Sequence, residues 1–197
     1  MRFFPLLTLS LCTAAAFSGC DEPQQSTTPP PTITPMPAAM PSMSGGMMST
    51  PFIVPPLVNP PLQSAAEARI SPDEPVIGVL HKGIPRAFLL TALKDMRYHV
   101  INEHRGPASL AVTYCDRTDC VRVLEALDEN PLLVQIAGFH NGEMQVRIKD
   151  GQFSQTAKDL PAADVPFTRT TWGTWLAENP ETTLFTGEQA DASSSNR

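Results

Sequence analysis

The stretch LLVQIAGFHNGEMQVRIKDGQF, residues 132–153, decides the fold. Two apolar-rich runs flank Asn141-Gly142, and a third run begins at Asp150-Gly151. A type I′ hairpin turn needs positive φ at both central positions, and Asn-Gly adopts that conformation more readily than other pairs. Asp-Gly offers a second turn of the same kind. The stretch therefore predicts three consecutive antiparallel strands, a meander.

Toward the N-terminus, VIGVL (76–80) and RAFLL (86–90) are short strand-like runs separated by the turn-rich HKGIP. TALKDMRYHVI (91–101) places Ala92, Leu93, Met96 and Val100 at helical spacing and predicts a helix. SLAVTY (109–114) reads as a buried strand, and VRVLEALD (121–128) fits either a strand or a helix. Toward the C-terminus, TTWGTWLAENP (170–180) predicts a short helix, capped by Thr170 or Thr171 and stopped by Asn179-Pro180. The fold class expected is α+β: a strand-rich single domain with an antiparallel meander and a short C-terminal helix.

The ends of the chain carry a different signal. Residues 1–20, MRFFPLLTLSLCTAAAFSGC, have one positive charge, then an apolar run too short for a permanent membrane span, then small residues. They read as a bacterial export signal. The F-S-G-C ending resembles a lipobox, which implies that Cys20 becomes lipid-modified and anchors the chain to a membrane. From Pro23 to Ala66 there is no charged side chain, and proline, serine, threonine, methionine and alanine dominate. Proline removes backbone donors and fixes φ, so residues 21–66 are expected to form a disordered tether. The apolar FIVPPLV (52–58) within it could dock on the domain, although its prolines bar it from a central strand. The folded domain is expected at 67–187, followed by a polar tail at 188–197. A net charge of −6 leaves no basic stripe for phosphates, which argues against a nucleic-acid partner.

Several blocks, taken in order, resemble the bacterial family known as domain of unknown function 3179. They are V-I-G-V (76–79), G-I-P-R-A-F (83–88), H-V-I-N-E (99–103), V-T-Y-C (112–115), G-Q-F-S-Q (151–155) and T-T-W-G-T-W-L-A-E-N-P (170–180). The resemblance covers the folded region and implies no established reaction. The family pattern has two residues between its cysteines, whereas this chain has four, Asp116 to Asp119.

Cys12 lies inside the export signal, so Cys115 and Cys120 are the thiols of the mature domain, in a compartment where disulfides persist. A local disulfide between them ranks first, a redox-active pair second and a metal or cofactor clamp third. Arg117 would favour a thiolate, while Asp116 and Asp119 oppose it. Covalent haem attachment is disfavoured because Val121 stands where that motif needs histidine. His99 and Asn102 match the family's H-x-x-N positions. With Cys115 they could form a Cys–His–Asn constellation, and His99 with Cys115 and Cys120 could hold a metal ion. A polar core role is the simpler reading of His99. His140 reads as turn chemistry, and His81 and His104 carry no pattern.

Met36, Met40, Met43, Met47 and Met48 offer soft thioether ligands for copper(I), with drift in a low-complexity tether as the simpler reading. Trp172 and Trp175 share a helical face, the usual strip for docking a terminal helix on a sheet. Ser154 lacks a nucleophile elbow, and no phosphate-binding glycine pattern exists. The expectation is an extracytoplasmic, lipid-anchored binding or envelope-associated module with no predicted cofactor and an unidentified protein or small-molecule partner. The alternative is a thiol-redox or metal-handling protein using Cys115, Cys120 and His99.

Overall fold

The computed structural model describes residues 54–106 and 109–188. The expected export signal, the expected lipidation site Cys20, the methionine cluster and residues 189–197 lie outside the described residues. Thirteen strands run through the described chain: β1 (Leu57–Val58), β2 (Gln63–Ser64), β3 (Pro75–His81), β4 (Ile84–Leu89), β5 (Val100–Glu103), β6 (Leu110–Cys115) and β7 (Cys120–Glu125). They continue as β8 (Val134–His140), β9 (Glu143–Ile148), β10 (Gly151–Ser154), β11 (Ala163–Asp164), β12 (Thr168–Thr171) and β13 (Thr183–Phe185). Two short helices, α1 (Leu90–Leu93) and α2 (Trp172–Glu178), complete it with a 3-10 turn at Met96–Tyr98. The fold is dominated by strands, with the helices confined to short connections.

Three sheets form, ordered β1-β5-β6-β7-β11, β10-β9-β8 and β12-β3-β4-β13-β2. The first is the central layer, because its two faces feed different cores. Leu110, Val112, Tyr114, Val121 and Val123 pack with Ile77, Val79, Phe88 and Phe185 of the third sheet. Ala111, Cys115 and Leu124 pack with Val134, Ile136, Met144, Val146 and Ile148 of the meander. Adjacent residues in a strand point to opposite faces, so a strand covered on both sides needs an uninterrupted run of buried residues. LAVTYC of β6 is such a run, buried at every position. On the outer face of the third sheet, Val76, Ala87, Leu89 and Leu184 receive Trp172 and Trp175 of α2.

The meander forms as the sequence predicts. Asn141 and Gly142 have φ of 51° and 85°, and β8 pairs antiparallel with β9. The second turn is Lys149-Asp150, one residue earlier than Asp-Gly suggests, because Ile148 pairs with Gly151 and Lys149 takes the positive φ. The C-terminal helix also forms, capped by Thr171, whose hydroxyl accepts from the Thr174 amide. The ambiguous run after Cys120 is strand β7.

The helix expected at 91–101 does not extend that far. Asp95 is extended, and its carboxylate accepts from the Arg97 amide at 3.0 Å, which ends α1 and starts the 3-10 turn. Val100 and Ile101 then enter β5, where each β-branched side chain is buried on a different side of the central sheet. The ordered chain also begins ahead of residue 67. Leu57–Val58 pairs in parallel with β5 and Gln63–Ser64 pairs with β13. The proline-flanked FIVPPLV segment thus ends in an edge strand, the position that its prolines permit.

Candidate functional site

Cys115 and Cys120 close the β6–β7 hairpin as directly opposed register partners. The four residues between them form the turn, with Asp119 at φ 50°. Arg169 of β12 holds that turn with both oxygens of the Asp119 carboxylate at 3.0 Å from Nη1, and its Nη2 donates to the Asp119 carbonyl. The Tyr114 hydroxyl donates to the same carboxylate at 3.1 Å. Burial, and then this bond to Asp119, push the Tyr114 phenol up to about 12.

The local disulfide expected here is not formed: Cys115 is a free, fully buried thiol, and Cys120 is not its partner. Opposed residues on antiparallel strands hold their Cβ atoms about 4.5–5.5 Å apart. A disulfide holds them at about 3.5–4.5 Å, so the opposed register alone does not forbid a bridge, and the Cys115 thiol is nevertheless free.

The structure separates the Cys–His–Asn candidates. The ring of His99 meets Tyr114 edge-on, with centroids 6.2 Å apart, whereas Cys115 belongs to the core on the other face of the central sheet. His99 is 2 % exposed, and both its ring nitrogens lack a hydrogen-bond partner. Its Nε2 lies 3.7 Å from Asp116 Oδ1, close enough for charge attraction and too far for a hydrogen bond. Burial lowers the His99 pKa, and Asp116 opposes that shift. Asn102 is engaged elsewhere. Its amide donates to the Val134 carbonyl at 3.0 Å and the Leu57 carbonyl at 3.3 Å, and its oxygen accepts from the Val134 amide at 2.8 Å. One side chain thereby joins β1, β5 and β8. Among the described residues, no group of three or more His, Cys, Asp or Glu side chains is placed to hold a metal ion.

Two buried polar clusters escaped the sequence reading. Arg122, 8 % exposed, pairs with Asp164 through two bonds of 2.9 Å and donates to the Gln155 and Ala157 carbonyls. Gln155 donates to the Thr113 hydroxyl at 2.9 Å and the Cys120 carbonyl at 3.2 Å. These bonds tie the end of the meander to the centre of the buried sheet. In the second cluster Glu103, with no exposed surface, accepts from Arg105 at 3.1 Å. Burial raises the Glu103 pKa against the pull of Arg105 and Arg86. Arg105 then donates to the Asn59 and Pro60 carbonyls, both at 2.7 Å. The available signal was a charge inside an apolar run, Arg122 in VRVL and Glu103 after VIN, since a buried charge requires partners.

The other histidines do not join the Cys–His–Asn group. His104 contacts the Leu132 carbonyl at 2.7 Å, and His81 lies 3.2 Å from Glu125 without hydrogen-bond alignment. His140 is exposed beside the hairpin turn. Trp175 is buried and donates to the Thr182 hydroxyl at 2.9 Å, consistent with helix docking. The Ser154 hydroxyl bonds Glu143 at 2.6 Å.

The family described as protein of unknown function (DUF3179) matches residues 53–135. Over this stretch the chain belongs to the DUF3179 family. The DUF3179 match takes in β1 through β7 and the first two residues of β8, and so four of the six blocks quoted above. G-Q-F-S-Q and T-T-W-G-T-W lie beyond it. No curated protein and no solved structure matches the chain.

Proposed function

We propose that the protein is a non-enzymatic binding module held outside the cytoplasm by a lipid on Cys20. One observation carries this reading: the candidate residues of the DUF3179 blocks do not converge on one site, and Asn102 is taken up in bonds between strands. Asn102 has both its amide and its carbonyl engaged, His99 and Cys115 face different cores, and the Cys115 thiol has no exposed surface. A thiol nucleophile needs access and a nearby base or positive charge. The rival reading, a thiol-redox or metal-handling protein, draws on the opposed register of Cys115 and Cys120.

The two readings separate by native-state alkylation followed by tryptic mass mapping. Arg117 lies between the cysteines, so trypsin places them in different peptides. Cys115 is expected to stay unmodified until denaturant is added. Rapid labelling in the folded state, exchange with glutathione, or stoichiometric copurifying zinc or copper would instead establish the rival. For the anchor, Cys20→Ser is expected to move the protein from the membrane fraction to the soluble fraction.

A further inference from the structure

A pocket of about 270 Å³ opens between the 126–133 connection and the outward face of β8 and β9. Its walls include Leu127 and Leu133, which are 70 % and 41 % exposed, together with Pro131 and Pro161. Large apolar side chains seldom stay exposed side by side in a concave site without a use, and ligand pockets combine such walls with a few placed polar groups. Three charges line this one. Lys149 and Asp128 satisfy each other at 3.0 Å. Arg147 is the third, and its cross-strand partners on both sides are neutral, Gln135 on β8 and Gln152 on β10. The pocket therefore carries one uncompensated positive charge against an apolar wall, in a chain whose net charge is −6.

We propose that this pocket binds a small aliphatic carboxylate, with the anion on Arg147 and the hydrocarbon body against Leu127 and Leu133. The inference rests on the binding-module reading and names its ligand class. A guanidinium fork matches a carboxylate with two parallel bonds. A single arginine balances a single charge, and the apolar wall favours a monoanion over a phosphate dianion, whose second charge would face Asp128 and lose hydration. A volume at the small end of ligand pockets limits the occupant to a body such as a short branched chain.

The test is a titration of the ¹⁵N-labelled full chain with 4-methylpentanoate, with its neutral amide and with inorganic phosphate, followed by NMR. Saturable shifts are expected at residues 127–135 and 147–149 with the acid. The amide should bind about tenfold more weakly or worse, as befits loss of a charge-assisted bond. Arg147→Gln should weaken the acid by a similar factor while leaving the melting temperature unchanged. Leu133→Asp, which brings a like charge to the mouth, gives a second route to the same loss. Equal binding of acid and amide, no saturable shift, tighter binding of phosphate at the same residues, or undiminished binding in both variants would each overturn the proposal. The binding-module reading fails on a different measurement, the native reactivity of Cys115, so the two failures are distinct.

Discussion

Gly78 and Trp175 lie almost a hundred residues apart, and one substitution tests whether they form a single packing unit. A Cβ built on Gly78 would lie 2.3–2.5 Å from three atoms of the Trp175 ring. Carbon atoms settle near 3.5–4.0 Å, so Gly78→Ala forces the ring back by about 1 Å. The ring cannot swing freely. It is 4 % exposed, packed with Val76, Ala87, Leu89 and Leu184, and pinned by its bond to Thr182. Overpacking of this kind costs about 1–3 kcal/mol. Replacing a strand glycine by alanine returns about 0.5–1 kcal/mol through the unfolded chain. A net loss of about 1–2 kcal/mol is expected, read by urea denaturation with tryptophan fluorescence and far-UV circular dichroism. Trp175→Leu removes the clashing ring, so adding Gly78→Ala to that variant should cost less than adding it to the wild type. Circular dichroism reports the double variant, whose fluorescence is altered. The reasoning is refuted if Gly78→Ala leaves stability within about 0.5 kcal/mol, or if the two substitutions simply add.

Three further outcomes follow from the same packing. Asn102→Ala strands the Val134 amide and two carbonyls and should cost about 2–4 kcal/mol in denaturant titration, against about 0.5 kcal/mol or less for the exposed Gln152→Ala. Burial lowers the pKa of His81 and His99 from 6.5, so the unfolded chain takes up protons first on acidification. Their contribution is complete above pH 6.5 and is lost as pH falls through the lower folded values; the His99→Gln variant should show a shallower loss, and equal slopes would sink the assignment. Gly142→Ala places a Cβ at φ 85° in the β8–β9 turn and should lower stability by about 1 kcal/mol, visible as a shifted thermal midpoint.

The meander was legible because Asn141-Gly142 specifies its own backbone and fixes the register of both flanking strands. The C-terminal helix was legible for a similar reason, since Thr171 and Asn179-Pro180 mark its ends locally. Residues 91–101 misled because their apolar spacing suits a helix, while the deciding interaction is a side-chain cap at Asp95 followed by burial of Val100 and Ile101 on opposite faces. The layering itself had no local signature. LAVTY looks like any buried strand until a second sheet is known to cover its other face. Of the candidate site, Cys115 and Cys120 were legible as two nearby thiols, while their opposed register was not, because VRVLEALD fits a helix as well as a strand. The separation of His99 from Cys115 was not legible either, because strand parity depends on where β5 begins. Arg122 and Gln155 are 33 positions apart and meet only through the return of the meander.

The docking of Leu57–Pro60 has a mechanical consequence. Any pull that reaches the domain along the chain from residue 53 arrives first at the edge of the central sheet. There Asn59 donates to the Asn102 carbonyl at 2.8 Å and accepts from the His104 amide at 2.7 Å, and Arg105 grips the two carbonyls that follow. Tension is therefore shared by several bonds to β5 and the residues just after it, before it can reach β2 or the sheet that carries Trp175. A domain built this way takes load from its N-terminal side at a reinforced entry point, and the same residues pass it on to the start of β8, since Asn102 bonds Val134 and His104 contacts the Leu132 carbonyl.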